Sequence, residues 1–197
     1  VESVHRAVLI WRSFSHWVGG MGVLVFMLAL LPMGGASSMH LMRAESPGPS
    51  VGKLVPKVRS TAKILYEIYS FLTIVLMILL VISGCPVFDS INLAFATAGT
   101  GGFAVLNSSA ADYNAATQWI LTIFMILFGV NFNVYSLFYV KKWKDGLRCE
   151  EARAYFGIIL GSVALISFNI YHLVRNVELT VRQAAFQVAS IITTTGF

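Results

Sequence analysis

Two short stretches of this chain share residue types whose chemistry lies in the backbone. Thr100, Gly101, Gly102 and Phe103 close the segment "DSINLAFATAGTGGF" (Asp89–Phe103), and Thr194, Thr195, Gly196 and Phe197 close "QAAFQVASIITTTGF" (Gln183–Phe197). The segments align without gaps at a spacing of 94 residues, so that Thr100 meets Thr194, Gly102 meets Gly196 and Phe103 meets Phe197. Threonine replaces Gly99 and Gly101 in the second copy, which leaves Gly102 and Gly196 as the shared glycine. Glycine reaches backbone conformations closed to other residues. Strings of carbonyls held that way can replace a cation's hydration shell, as T-V-G-Y-G does in potassium-channel filters. A single T-x-G-F is weak evidence, and a plain glycine turn accounts for it. Two copies, each after a short helix beside a membrane-spanning run, are a strong signal of a repeated membrane unit.

Each segment opens with about ten mostly apolar residues, too few to cross a bilayer and suited to a re-entrant half-helix. Thr180 and Gln183 have capping-box spacing for one half-helix, and Asp89 is the expected cap of the other. A helix C-terminus carries partial negative charge, which favours a cation there. Exposed carbonyls at membrane depth are tolerated only where protein or water surrounds them. The expected cation ligands are therefore main-chain oxygens at Thr100, Gly101, Gly102, Phe103, Thr194, Thr195, Gly196 and Phe197, with no covalent cofactor expected.

The elements that must position these segments are long and apolar. The chain has 197 residues, 57% hydrophobic and 12% charged, with mean hydropathy +0.76. That is about half the charge of an average soluble domain. Four apolar runs qualify as membrane spans: Ser13–Pro32, Ile64–Gly84, Trp119–Val140 and Ala154–Tyr171. Lys and Arg gather between Met33 and Lys63 and between Lys141 and Arg153, whereas Cys85–Gln118 contains neither. The positive-inside rule puts the two basic stretches in the cytoplasm and the glycine-rich segment outside. The net charge of +5 is thus a topology signal and not a nucleic-acid patch. Trp11, Trp17, Trp119 and Trp143 sit near run ends, as interfacial aromatics do. Glu45–Pro56 holds three of the five prolines and reads as a cytoplasmic loop. The opening without methionine and the stop after Phe197 lead us to expect an internal piece of a longer protein.

With these motifs in hand, the chain resembles the Trk/Ktr/HKT superfamily of potassium and sodium transporters over essentially its whole length. The resemblance implies an all-α membrane protein with four helix–pore loop–helix repeats around one pore, about two of them represented here. "WRSFSHWVGGMGVLVF" (Trp11–Phe26) resembles the second helix of the first repeat. The implied layout is residues 1–36 as that helix, 37–63 as a cytoplasmic loop, 64–140 as the second repeat with its pore loop at 89–103, 141–153 as a second cytoplasmic loop, and 154–197 as the start of the third repeat. It implies potassium uptake through a carbonyl-lined selectivity filter in a multi-pass protein of the bacterial inner (plasma) membrane. Sodium or mixed transport, or a non-conducting scaffold, are the alternatives. The implied partners are the remaining repeats of the same polypeptide, the lipid bilayer, a second copy in a homodimer and a cytoplasmic nucleotide-binding regulatory subunit.

Other residues carry weaker readings. Gly129, Asn131 and Asn133 interrupt the third run. Asn131 either lines a cavity below the filter or makes an interhelical hydrogen bond beside a glycine contact. Gly19, Gly20 and Gly22 read as helix-packing residues. His5, His16, His40 and His172 lack metal-ligand spacing, Cys85 and Cys149 form no framework, and no nucleophile–base set is suggested. We expect no enzyme.

Overall fold

A computed structural model describes residues 1, 3–22, 58–131, 134–135 and 149–197, with the side chains of 58–62 excepted. Expectations for residues 23–57, Asn133 and 136–148, including the proline-rich loop and Trp143, lie outside the described residues. Among the described residues all regular structure is helical. The helices are α1 (Arg6–Gly20), α2 (Val58–Ile82), α3 (Val87–Ala98), α4 (Ala115–Gly129), α5 (Glu150–Val174) and α6 (Val177–Ile192). α3 is wedged among α1, α2 and α4, and α6 packs on α4 and α5.

Only α2, from Lys63 to Ile82, and α5 are long and apolar enough to cross a membrane among the described residues. The third apolar run is not one continuous helix. α4 starts before it, at Ala115, and stops at Gly129, where Val130 turns extended (φ −70°, ψ 139°). α1 likewise begins before its apolar run and ends at Gly20, followed by Gly22 at φ 74°. Twelve-residue α3 is about 18 Å long, well short of the ~30 Å hydrocarbon core. α5 buries only Ile159 and exposes Leu160, Leu165, Phe168 and Leu173, a face suited to lipid or further helices.

Small residues let α3 be surrounded. Ala94, Ala96 and Ala98 are buried beside Leu93, and backbones can approach closely at such positions. Its buried polar groups are all bonded. Ser13 Oγ donates to Asn92 Oδ1 (2.9 Å), Asn92 Nδ2 to the Phe88 carbonyl (2.8 Å), and Thr97 Oγ1 to the Leu93 carbonyl (2.7 Å). An unpaired polar group here would cost several kcal/mol.

Both expected caps are corrected, because both half-helices start earlier than the sequence signals placed them. α6 is capped by Asn176, whose Oδ1 accepts from the Leu179 N–H (3.2 Å). Thr180 lies inside the helix and donates to the Asn176 carbonyl (2.7 Å). α3 begins after Pro86, which suits a helix start because it lacks an N–H. Asp89 sits in its first turn and accepts from the Tyr113 hydroxyl (3.0 Å). Burial and this bond to Asp89 push the Tyr113 phenol well above its usual range. Trp17 also has a packing role. Half-buried, it stacks on Tyr69 at 5.6 Å, with Nε1 donating to Thr73 Oγ1 (3.1 Å), so its contacts are those of helix packing. Trp11, by contrast, is exposed.

Asn114 joins the two halves of the second unit. Its Oδ1 accepts from the Thr117 N–H (2.7 Å), capping α4, while Nδ2 donates to the Ser83 carbonyl (2.6 Å) at the end of α2. Asn114→Ala removes both bonds and should cost about 1–2 kcal/mol. Thermal unfolding of the detergent-solubilised full-length protein should show the lower midpoint, with Asn114→Asp recovering part of it through the retained cap.

Candidate ion-filter segments

α3 and α6 end in the same way. The Gly99 N–H bonds to the Phe95 carbonyl and, 94 residues on, the Thr193 N–H to Ala189. Thr100 bonds to Thr97 as Thr194 does to Ile191, and Gly102 to Ala96 as Gly196 does to Ser190. Dihedral angles match as well. Thr100 and Thr194 are left-handed (φ 49° and 56°), and so are Gly102 and Gly196 (φ 64° and 77°), with no positive φ at Gly101 or Thr195 between them. Glycine adopts this conformation at no steric cost. A β-branched threonine does not, and each costs of order 1–3 kcal/mol that the surroundings must offset. The same strain held in both copies marks a backbone shaped for a task.

The two segments are brought side by side. A Cβ added at Gly102 would collide with the Thr195 carbonyl oxygen and lie 2.8 Å from the Gly196 carbonyl carbon. Thr194 and Gly196 are exposed while Thr193 and Thr195 are buried, with Thr193 Oγ1 and Thr195 Oγ1 2.7 Å apart behind the loop. Thr100, Gly101 and Gly102 are partly exposed. The phenylalanine rings rest against neighbouring rings, with Phe103 itself still exposed. Phe103 lies 4.8 Å from the His16 ring, and Phe197 lies 6.5 Å from Phe186. Their carbonyls already have donors, Arg12 Nη2 for Phe103 and Ser190 Oγ for Phe197, each at 3.4 Å.

Behind each loop is a junction the sequence does not announce. Gly20 of α1 meets the Gly99 Cα, and the Tyr69 hydroxyl of α2 donates to the Trp17 carbonyl (2.9 Å). Gly129 of α4 meets Thr193 Cγ2, and the Tyr155 hydroxyl of α5 donates to the Ile126 carbonyl (3.1 Å). Gly99 and Thr193 are the aligned pair, and each accepting carbonyl lies three residues before its glycine. The same joint is therefore built twice. Tyr135 adds a bond to the Leu127 carbonyl (2.7 Å) where α4 stops. The sequence trace is a tyrosine in each long helix, Tyr69 in α2 and Tyr155 in α5.

Gly20 and Gly129 thus fill the packing role expected of glycine, whereas Gly19 has open space and Gly22 makes a left-handed turn. Asn131 donates to Glu151 Oε2 (2.9 Å), which ties the end of α4 to the start of α5. Glu67 pairs with Lys63 at 3.8 Å on an exposed surface, a contact worth little.

The model of a family of cation transport proteins, TrkH, matches residues 1–197, the entire chain. The chain belongs to the TrkH family. It is 36% identical over 202 residues to the Trk system potassium uptake protein TrkH of Salmonella typhimurium, covering all of this chain and 42% of that protein. The TrkH of Vibrio parahaemolyticus is 33% identical, with the same coverage of both. A crystal structure of the potassium transporter TrkH from Vibrio parahaemolyticus superposes with a TM-score of 0.79 at 27% identity, over 100% of this chain and 40% of that one. The chain therefore spans about two fifths of the length of these TrkH relatives. Its helices and its two pore-helix units are those of a TrkH-type membrane transporter.

Two contrasts follow from the geometry. Gly196→Ala meets no neighbour within 4 Å and should cost about 1–2 kcal/mol for its left-handed φ alone. Gly102→Ala adds the backbone collision and should lower the thermal midpoint of the purified full-length protein further; equal shifts would contradict the close contact of the two loops. Tyr69→Phe and Tyr155→Phe each leave a carbonyl without its donor and should each lose about 1–3 kcal/mol, read by the same unfolding measurement.

Proposed function

We propose that the full-length protein takes up potassium through a carbonyl-lined filter, and that this chain supplies two of its four walls. The observation that carries the reading is the matched left-handed backbone at Thr100/Gly102 and Thr194/Gly196, in two loops that touch. Ions shed water onto the carbonyls of Thr100–Gly102 and Thr194–Gly196 and pass down their electrochemical gradient. The negative ends of α3 and α6 favour a cation at that depth. The carbonyls of Phe103 and Phe197 accept protein hydrogen bonds and serve as anchors of the filter ends. Binding at each position must be weak enough for release. No covalent chemistry is involved, and Asn131, bonded to Glu151, is an interhelical tie.

The layout that supports this function is residues 1–36 as the second helix of a first repeat, 64–140 as the second repeat and 154–197 as the start of a third, with 37–63 and 141–153 in the cytoplasm. Relatives named as Trk system potassium uptake proteins favour potassium over sodium as cargo. The working unit would be a multi-pass protein of the bacterial plasma membrane. Further repeats close the ring, a second copy forms a dimer and a cytoplasmic nucleotide-binding subunit regulates it.

The test uses the full-length gene in a potassium-uptake-deficient bacterium. Wild type should restore growth at low K⁺. Gly102→Ser and Gly196→Ser should abolish uptake or shift the K⁺/Na⁺ preference while the protein still reaches the membrane. Unchanged transport and selectivity in both variants would overturn the filter assignment, and wild-type uptake of Na⁺ in place of K⁺ would overturn the choice of ion.

A further inference from the structure

The two repeated junctions differ in one respect. At the register where α4 presents Leu121 and Met125, eight and four residues before Gly129, α1 presents Arg12 and His16, eight and four residues before Gly20. Both side chains of α1 act on the outer end of the 100–103 loop. Arg12 Nη2 donates to the Ala104 carbonyl (2.9 Å) and the Phe103 carbonyl (3.4 Å), and its guanidinium lies 5.0 Å over the Phe103 ring. His16 holds the same ring at 4.8 Å. Gly101 is what admits the imidazole, since a Cβ there would lie 2.6 Å from His16 Nδ1. At the matching positions α4 carries Leu121 and Met125, and among the described residues the Phe197 carbonyl accepts from the Ser190 hydroxyl (3.4 Å).

We propose that Arg12, with His16 behind it, is a positioning residue for ion selection: a guanidinium clamp on the Phe103 and Ala104 carbonyls that fixes where the second filter segment ends. This rests on the filter reading above. A carbonyl that accepts from Arg12 is withheld from the ion, so the clamp decides which oxygens can act as ligands. A planar guanidinium can hold two adjacent carbonyls and a ring face together, which a lysine ammonium cannot. Charge-assisted bonds are about twice as strong as neutral ones, so the clamp can also offset part of the strain at Thr100. Selection among cations depends on how rigidly the carbonyl cage keeps its number and spacing of ligands. Releasing one wall therefore acts on the ratio between ions more than on overall rate.

The experiment measures K⁺, Rb⁺ and Na⁺ uptake by the full-length transporter in the deficient bacterium, normalised to protein in the membrane. Arg12→Gln and Arg12→Lys should both lower the K⁺-over-Na⁺ preference by about three- to tenfold, a fraction of the bonds lost because the clamp acts on the ligands indirectly. His16→Ala should lower it less. A purely structural role would reduce the rates for all three ions together and leave the ratio unchanged, which would overturn the proposal. Wild-type preference in Arg12→Lys beside a loss in Arg12→Gln would also overturn it, since charge alone would then suffice. If Arg12→Gln does not reach the membrane, Arg12→Lys and Phe103→Leu decide, and both must shift the ratio. Gly102→Ser is run in parallel. A shift there with none in the Arg12 variants sinks the clamp alone, whereas no shift in any variant sinks the filter reading with it.

Discussion

A peptide carbonyl left in hydrocarbon without a partner costs several kcal/mol. α3 and α6 are too short to cross a bilayer, so each must dispose of the carbonyls of its last turn. The solution is the same in both. A final threonine and a glycine two residues later turn left-handed, and their N–H groups reach back to the last turn of the helix. The next carbonyls are then freed from the helix and held by a strained backbone in place of hydrogen bonds. Much else in the described structure serves to hold that backbone still: the small residues around α3, the buried Thr193 and Thr195, and the phenylalanine rings that anchor the loop ends.

The inner helices that flank the loops face the same constraint. α1 and α4 end at glycines, and these glycines let the helices touch the loops at Gly99 and Thr193. Ending a helix there frees carbonyls of its own, and tyrosine hydroxyls from α2 and α5 take one in each case. The glycine contact and the tyrosine bond belong together. The close approach puts the hydroxyl within reach, and the hydroxyl makes the interrupted helix affordable at that depth. That the pairing recurs in both units ties their construction to the repeat and not to local accident.

Departures from the repeat are therefore informative. Threonines in the second loop replace two glycines of the first. Gly101 is open to the His16 ring, whereas Thr195 turns its hydroxyl to Thr193. Gly99 lies against the His16 backbone, where any side chain would collide. Thr193 instead meets Gly129, the counterpart of Gly20, so the second junction keeps the helix glycine and replaces the loop glycine with threonine. The extra glycines of the first loop make room for α1, and the shared glycine keeps the backbone turn.

Residue order alone determined the membrane class, the pairing of the two loops and the family, because these depend on apolar length, charge placement and a gapless 94-residue repeat. It also picked out Gly102 and Gly196, since a left-handed turn leaves its mark as a glycine that survives where neighbours change. Helix starts were misread. Asn176 and Pro86 begin the half-helices, and the competing signals at Thr180 and Asp89 fall just inside them. Gly129, Asn131 and Asn133 marked an interruption of the third run, but not that a helix ends at Gly129 with tyrosine hydroxyls from Tyr135 and Tyr155 meeting carbonyls of its last turn. The left-handed threonines, the contact of Gly102 with Thr195, the tyrosine joints and the Arg12 clamp were decided only by the tertiary structure. The contacts join residues far apart in the chain and leave no period or local motif in the sequence, and a β-branched threonine at positive φ runs against its own local preference.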